Sequence, residues 1–375
     1  MTHDDRKRPL RVPETNKYTR LRFLDRLQGA LKRVYGLYVA FSATPKTGPK
    51  HSNAVFLYFE ALESKEMPVN LYPTALIYSS HNRCEYLHRN WIVQRALEHP
   101  HNKTVLYLPF GMESRESQDF SWGTFKWYFD HFTPFGLDAK VFFWSDGLSR
   151  HDAEIFFNMV EHSEVVILGG GDVNLGFERY DAMGGYFFDD YDRFKNYLHR
   201  RQNTGKLTVG FSAGAAQLGD VCAQDDYHRC YALIHNVTTT LHHEWSRETE
   251  LRQLAWRFPG HLAFGLPNDA GIASNQGYLA SGNKWQVLQF IIDTSWDLPE
   301  DNFHIKTRQG MGIEHIYHDG RKWIFNGGDV MIRIFSPDYG YQGTWVITPH
   351  NPTVFDYWSQ SPSGFVNIDH IMAEH

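Results

Sequence analysis

Cysteine is scarce in this chain of 375 residues: Cys84, Cys222 and Cys230 are an odd number and build no disulfide framework. No basic segment followed by an apolar one and a cleavage site opens the sequence, so the expected compartment is the reducing cytoplasm. Long apolar runs are also missing. "RVYGLYVAFSA" falls well short of the roughly 20 residues that span a bilayer, which excludes a helical membrane protein and leaves a soluble one as the expectation. Charge of one sign is lacking too. A formal net charge of -6 points neither to nucleic-acid binding nor to an acidic disordered tail. Internal repeats and low-complexity blocks are absent.

What is plentiful is aromatic and apolar side chain, 15% and 42% of the residues, enough for one large core with an appendage. Residues 1–72 read as that appendage. Leu21, Leu24, Leu27, Leu31 and Val34 recur at three- and four-residue steps, and Arg20, Arg22, Arg26, Lys32 and Arg33 occupy the opposite face. This amphipathic helix is expected to dock on the main domain or on a second subunit of a homo-oligomer, in preference to a membrane surface. "SATPKTGPKHSN" is a turn-rich linker.

From Pro73 short apolar runs alternate with helical stretches: "TALIYSS", "YLHRNWIVQRALEH", "KTVLYLPFG", "AKVFFWS", "SRHDAEIFFNMVEHS", "EVVILGGG", "DRFKNYLHRRQN", "KLTVGFSAG". Strands apolar at nearly every position, separated by helices, predict a doubly wound α/β domain over residues 73–290 whose mostly parallel sheet is covered on both faces. Residues 291–375 are polar and aromatic with β-like pieces, "KWIFNGGDVMIRIFS" and "GTWVITP". They predict a β-rich extension, either a cap or a continuation of the main sheet.

In such sheets sites form where loops leave the carboxyl ends of strands. "LTVGFSAGAAQLGD" puts Ser212 between small residues at such an end, with Gly210, Ser212 and Gly214 matching the G-x-S-x-G nucleophile elbow. A tight helix-to-strand contact is the other reading of the same glycines. A serine nucleophile needs a base, a group that orients the base, and N–H donors for the oxyanion. "ILGGGDVN" offers N–H groups unobstructed by a Cβ, and the N–H of Ala213 is the usual second donor. "TTLHHEWSRETELRQL" supplies two candidate bases, His242 and His243.

Taken together, "TALIYSS", "KTVLYLPFG", "EVVILGGGDVN", "LTVGFSAGA", "HH", "RETE" and "FGLPNDAGIASNQGYLASG" resemble the serine peptidase family of aspartyl dipeptidase (dipeptidase E) and cyanophycinase, over about residues 74–290. The resemblance implies a flavodoxin-like sheet similar to that of class I glutamine amidotransferases. It also implies hydrolysis of a small peptide or amide by a Ser-His-Glu arrangement, with no metal or other cofactor; the balanced charge and the short apolar runs add the expectation of no nucleic-acid and no membrane partner. Carried over, Ser212 is the nucleophile, Gly171 and Ala213 form the oxyanion hole, and Gly170 and Asp172 lie beside the substrate. His243, followed by Arg247, Glu250 and Arg252, fits the family histidine better than His242. Where the family has an acidic residue this chain has Asn268, with Asp269 next; either could orient the imidazole. Where the family has a substrate-binding arginine the alignment puts Glu250, leaving Arg247, Arg252 or Arg257 to serve. These departures admit a second expectation, a decayed relative that binds or scaffolds.

"CAQDDYHRCYALIH" brings Cys222, His228, Cys230 and His235 close in sequence, but at no zinc-site spacing, and packing thiols are expected there.

Overall fold

The computed structural model describes residues 72–80, 85–222, 230–293 and 311–375 other than Tyr339, Tyr341 and His350. Contacts divide the chain into Met1–Met67 and Pro68–His375. The expected amphipathic helix, Cys84 and His228 lie outside the described residues.

The second unit begins with β1 (Ala75–Tyr78), a helix α1 over residues 85–98 with a π-helical stretch at His88–Val93, β2 (Thr104–Leu108), α2 (Arg115–Asp130), β3 (Asp138–Val141), α3 (Arg150–His162), β4 (Val165–Leu168), α4 (Val173–Phe188), α5 (Arg193–Asn203), β5 (Leu207–Phe211) and the short α6 (Ala213–Leu218). Ser114 and Ser149 start α2 and α3 with reciprocal capping boxes, each side chain accepting an N–H that the first helical turn would otherwise leave unmet.

The five strands pair in parallel in the order β1-β5-β4-β2-β3. Alternate residues face opposite sides. Ala75, Ile77, Leu106, Leu108, Val166 and Leu168 pack with Phe156 of α3, Tyr180 of α4 and Phe194 of α5. Leu76, Tyr78, Val105, Tyr107, Val165 and Ile167 pack with Val93 of α1 and with Phe125 and Phe129 of α2. Both faces are covered, which is why these strands are apolar at almost every position.

Beyond α6 come β6 (Val221–Cys222), β7 (Val237–Leu241), α7 (Glu248–Arg257), β8 (Leu262–Leu266), β9 (Ala270–Tyr278), β10 (Lys284–Ile292), β11 (Ile313–Ile316), β12 (Lys322–Phe325), β13 (Val330–Phe335), β14 (Gln342–Thr348), β15 (Asn351–Asp356), β16 (Ser361–Pro362) and α8 (Ile368–Glu374). The sheet does not stop at β1. It continues antiparallel through β9, β10, β13, β14, β15 and β16 to eleven strands. A second sheet, β12-β11-β8-β7-β6, has β6, β7 and β8 in parallel. Of the strands after residue 290, β13 to β16 therefore continue the main sheet while β11 and β12 join the second. The α/β class is as expected; the antiparallel half and the second sheet go beyond it. Among the described residues no helix is long and apolar enough to cross a membrane.

Candidate active site

Five strand ends meet at one place. β1, β4 and β5 of the main sheet lead into Ser79, Gly169 and Ser212, and β7 and β8 of the second sheet lead into His242 and, after Pro267, Asn268.

Ser212 has φ +48° and ψ -119°, a backbone conformation that costs a non-glycine residue roughly 1–3 kcal/mol and persists only where its surroundings impose it. Its N–H donates to the Tyr78 carbonyl at 3.1 Å, and its carbonyl accepts from the Ala216 N–H at 3.1 Å. The small neighbours are a matter of space. A Cβ on Gly210 would lie 2.3 Å from the Gly214 carbonyl oxygen, and one on Gly214 would lie 2.2 Å from that of Leu168. The glycines of the motif thus let α6 start directly against β4 and β5.

Gly171, at φ +112°, packs so closely on the facing loop that a Cβ would sit 2.2 Å from the Gly111 carbonyl oxygen. The Asp172 N–H donates to that oxygen at 2.8 Å. Arg179 fastens the same loop, donating to the carbonyls of Phe110 at 2.8 Å, Met112 at 2.6 Å and Glu113 at 3.1 Å. The Asp172 carboxylate caps α4, accepting from the Leu175 N–H at 2.8 Å. Ala213 is the first residue of α6, so its N–H has no carbonyl within the helix to bond. Gly170 is buried, and a Cβ on it would lie 2.9 Å from the Phe211 ring and 3.3 Å from the Ser212 Cβ.

The histidine that meets Ser212 is His242. Its Nε2 lies 3.3 Å from the Ser212 Oγ and its Nδ1 2.5 Å from the Asn268 Oδ1. An amide oxygen accepts, so Nδ1 carries the proton and Nε2 is left to accept from the serine hydroxyl. The backbone N–H of His242 donates to the Ser79 Oγ at 2.6 Å, and the residue is left-handed at φ +52°.

His243, expected at this position, is elsewhere. It is fully buried, with Nε2 2.7 Å from a Glu314 carboxylate oxygen and Nδ1 3.3 Å from the Thr240 Oγ. Glu314, itself buried, also pairs with Lys322. β7 ends at Leu241, and the left-handed turn at His242 makes the two rings alternate, one to the cleft and the other to the interior. The downstream arginines and glutamates on which the choice rested do not register that alternation. Asp269 is likewise turned inward and buried, and it is Asn268 that meets the imidazole.

Two of the three candidate substrate arginines, Arg247 and Arg252, are engaged within their own segment. Arg247 bonds Glu250 through Nε at 3.0 Å and Nη2 at 2.6 Å, and its Nη1 donates to the carbonyls of Leu241 at 2.9 Å and His242 at 3.0 Å. The hydrogen bond from Arg247 holds the Glu250 carboxyl below the usual carboxylate range. Arg252 pairs with Glu248 at 2.6 Å. Ser79 and Glu314 escaped the sequence reading. Their signals were a serine closing the apolar run "TALIYSS" and a carboxylate inside the strand "IEHI". Cys222 and Cys230 are buried thiols packed with Val173, Ala213 and Ala216. Among the described residues no group of three or more His, Cys, Asp or Glu could hold a metal ion.

No protein-family model matches the chain, and no curated protein sequence matches it. Among solved structures, a peptidase from an acI-B1 Actinobacterium is similar over 68% of this chain and 96% of its own, at 14% identity and a TM-score of 0.46.

Proposed function

We propose that the protein is a serine-dependent hydrolase of a small or linear peptide or other amide, acting through an acyl-enzyme on Ser212 with His242 as the base. The observation that carries this reading is the hydrogen-bonded line from Ser212 through His242 to Asn268 at a strained strand-to-helix turn. His242 takes the hydroxyl proton as Ser212 attacks the carbonyl carbon, and the N–H groups of Gly171 and Ala213 are the donors for the oxyanion. The imidazolium then gives that proton to the leaving amine. Water, deprotonated by the same imidazole, attacks the ester and releases the acid, returning the proton to Ser212. Asn268 orients the ring but brings no negative charge to the imidazolium. Only the neutral imidazole can accept the serine proton.

Labelling of the purified protein by a fluorophosphonate tests the reading. Labelling is expected in the wild type and is lost in Ser212→Ala and in His242→Ala. A label that persists in Ser212→Ala sinks it. The neutral amide at Asn268 favours a second reading, a binding or scaffold protein on the same fold. A wild type that resists labelling over hours at millimolar probe would favour that one.

A further inference from the structure

Two groups hold the turn that carries the His242 imidazole, and neither is part of the Ser212–His242–Asn268 line. His242 sits at φ +52°, so the turn over residues 241–243 is held in a conformation that it does not favour by itself. On the inner side the restraint is the buried His243, whose N–H donates to the Leu266 carbonyl at 2.9 Å and whose ring lies on Gly265, where a Cβ would be 2.4 Å from its Cδ2. On the outer side it is Arg247. One nitrogen of its guanidinium gathers the carbonyls of Leu241 and His242 together, at 2.9 and 3.0 Å, while Nε donates to Oε1 at 3.1 Å and Nη2 to Oε2 at 2.6 Å of Glu250, in the first turn of α7. The planar fork does both at once, which an ammonium cannot.

We propose that Arg247 is a positioning residue for the proposed reaction: anchored by Glu250, it holds the turn whose carbonyls it binds so that the His242 ring stays between Ser212 and Asn268. It does not bind the substrate carboxylate. The inference rests on the hydrolase reading for its catalytic meaning, but its geometry can be read without activity. The Arg247 side chain is 37% exposed, so replacing it opens no core.

The test uses Arg247→Gln, Arg247→Lys and Glu250→Gln in the full chain, with two readouts. The first is the rate of fluorophosphonate labelling at Ser212. It is expected to fall tenfold or more in Arg247→Gln, to recover only in part in Arg247→Lys, and to fall less in Glu250→Gln, with thermal midpoints near that of the wild type. The second is the nitrogen chemical shift of the His242 ring, assigned by loss of its signal in His242→Gln. The wild type is expected to show a single Nδ1–H tautomer, and Arg247→Gln a mixture. A fall in labelling at Ser212 that merely follows a fall in midpoint, with the tautomer unchanged, would overturn the assignment. So would a wild-type rate and ring signal in Arg247→Gln. A wild type that does not label defeats the hydrolase reading alone, and the ring signal of the variants then decides the role of Arg247. If Arg247→Gln does not fold, Glu250→Gln carries the same comparison.

Discussion

At the scale of single residues, the site turns on an amide where a carboxylate would do more. In the proposed reaction His242 becomes a cation as it takes the serine proton, and the Asn268 oxygen 2.5 Å from Nδ1 offers only a dipole to it. A carboxylate in the same place would favour the imidazolium, and each 1.4 kcal/mol of added stabilisation is worth about tenfold in rate. Asn268→Asp is therefore expected to raise the labelling rate at Ser212 by about tenfold or more. Asn268→Ala, which frees the ring to rotate, is expected to lower it on the order of a hundredfold. Rates measured side by side at one pH decide it, and an Asn268→Asp protein no faster than the wild type would contradict this account. Legibility differed within the same few residues. The elbow could be read from sequence because each small residue answers a close backbone approach, at Gly210 to Gly214 and at Gly214 to Leu168. The histidine pair could not, because choosing between His242 and His243 requires knowing where β7 ends and which side of it faces the cleft. Composition carries no such phase.

At the scale of elements, apolar runs in alternation with helical periods located the parallel block, since strands buried on both faces must be apolar throughout. The partners of β7 were less visible. "VTTTL" has threonine at three of its five positions, yet Thr238, Thr239 and Thr240 are buried in the second sheet. Helix α5 carries a similar concealment. "RFKNYLHRRQN" looks like a solvated basic helix, but Phe194, Leu198 and Arg201 fall at i, i+4 and i+7, and all three are buried. The Arg201 guanidinium donates to the carbonyls of Val160 and Ser163 at 2.6 Å each, Glu164 at 3.2 Å and Leu207 at 2.8 Å, which joins the end of α3 and the starts of β4 and β5. Burial pulls its pKa down to about 9, still protonated at neutral pH. Arg201→Met leaves those carbonyls without their donor, and the expected loss is about 3–5 kcal/mol in urea unfolding. Arg201→Lys is expected to recover only part of it, because an ammonium has fewer donors and no fork. A loss under about 1 kcal/mol for Arg201→Met would mean that water or relaxed backbone serves the carbonyls as well.

At the scale of the whole unit formed by residues 68–375, the question is what joins the second sheet to the first, since the site needs both. Apolar packing spans them, with Phe290 of β10 stacked on Phe325 of β12, and so does a buried hydrogen bond. His315 of β11 donates from Nδ1 to the Ala263 carbonyl of β8 at 2.9 Å, and its Nε2 accepts from the hydroxyl of Tyr357, just past β15, at 2.7 Å. The ring is wholly buried, and burial lowers its pKa from 6.5 to about 4. The folded form therefore keeps His315 neutral down to about pH 4, whereas the unfolded chain protonates near 6.5. Between those values the unfolded state holds more protons, so stability is lost as pH falls from about 6.5 to about 4, by about 3 kcal/mol from this residue, and no further below. His235, lowered to about 4 by burial and by Lys284, contributes in the same direction over the same window. In His315→Gln the acid slope of the unfolding free energy is expected to flatten by up to about 1.4 kcal/mol per pH unit within that window, whatever its stability at neutral pH. Urea midpoints and slopes from pH 4 to 7, for the wild type and the variant, measure the difference. Parallel curves would mean that the imidazole is protonated in the fold and that the Tyr357 hydroxyl accepts from it instead.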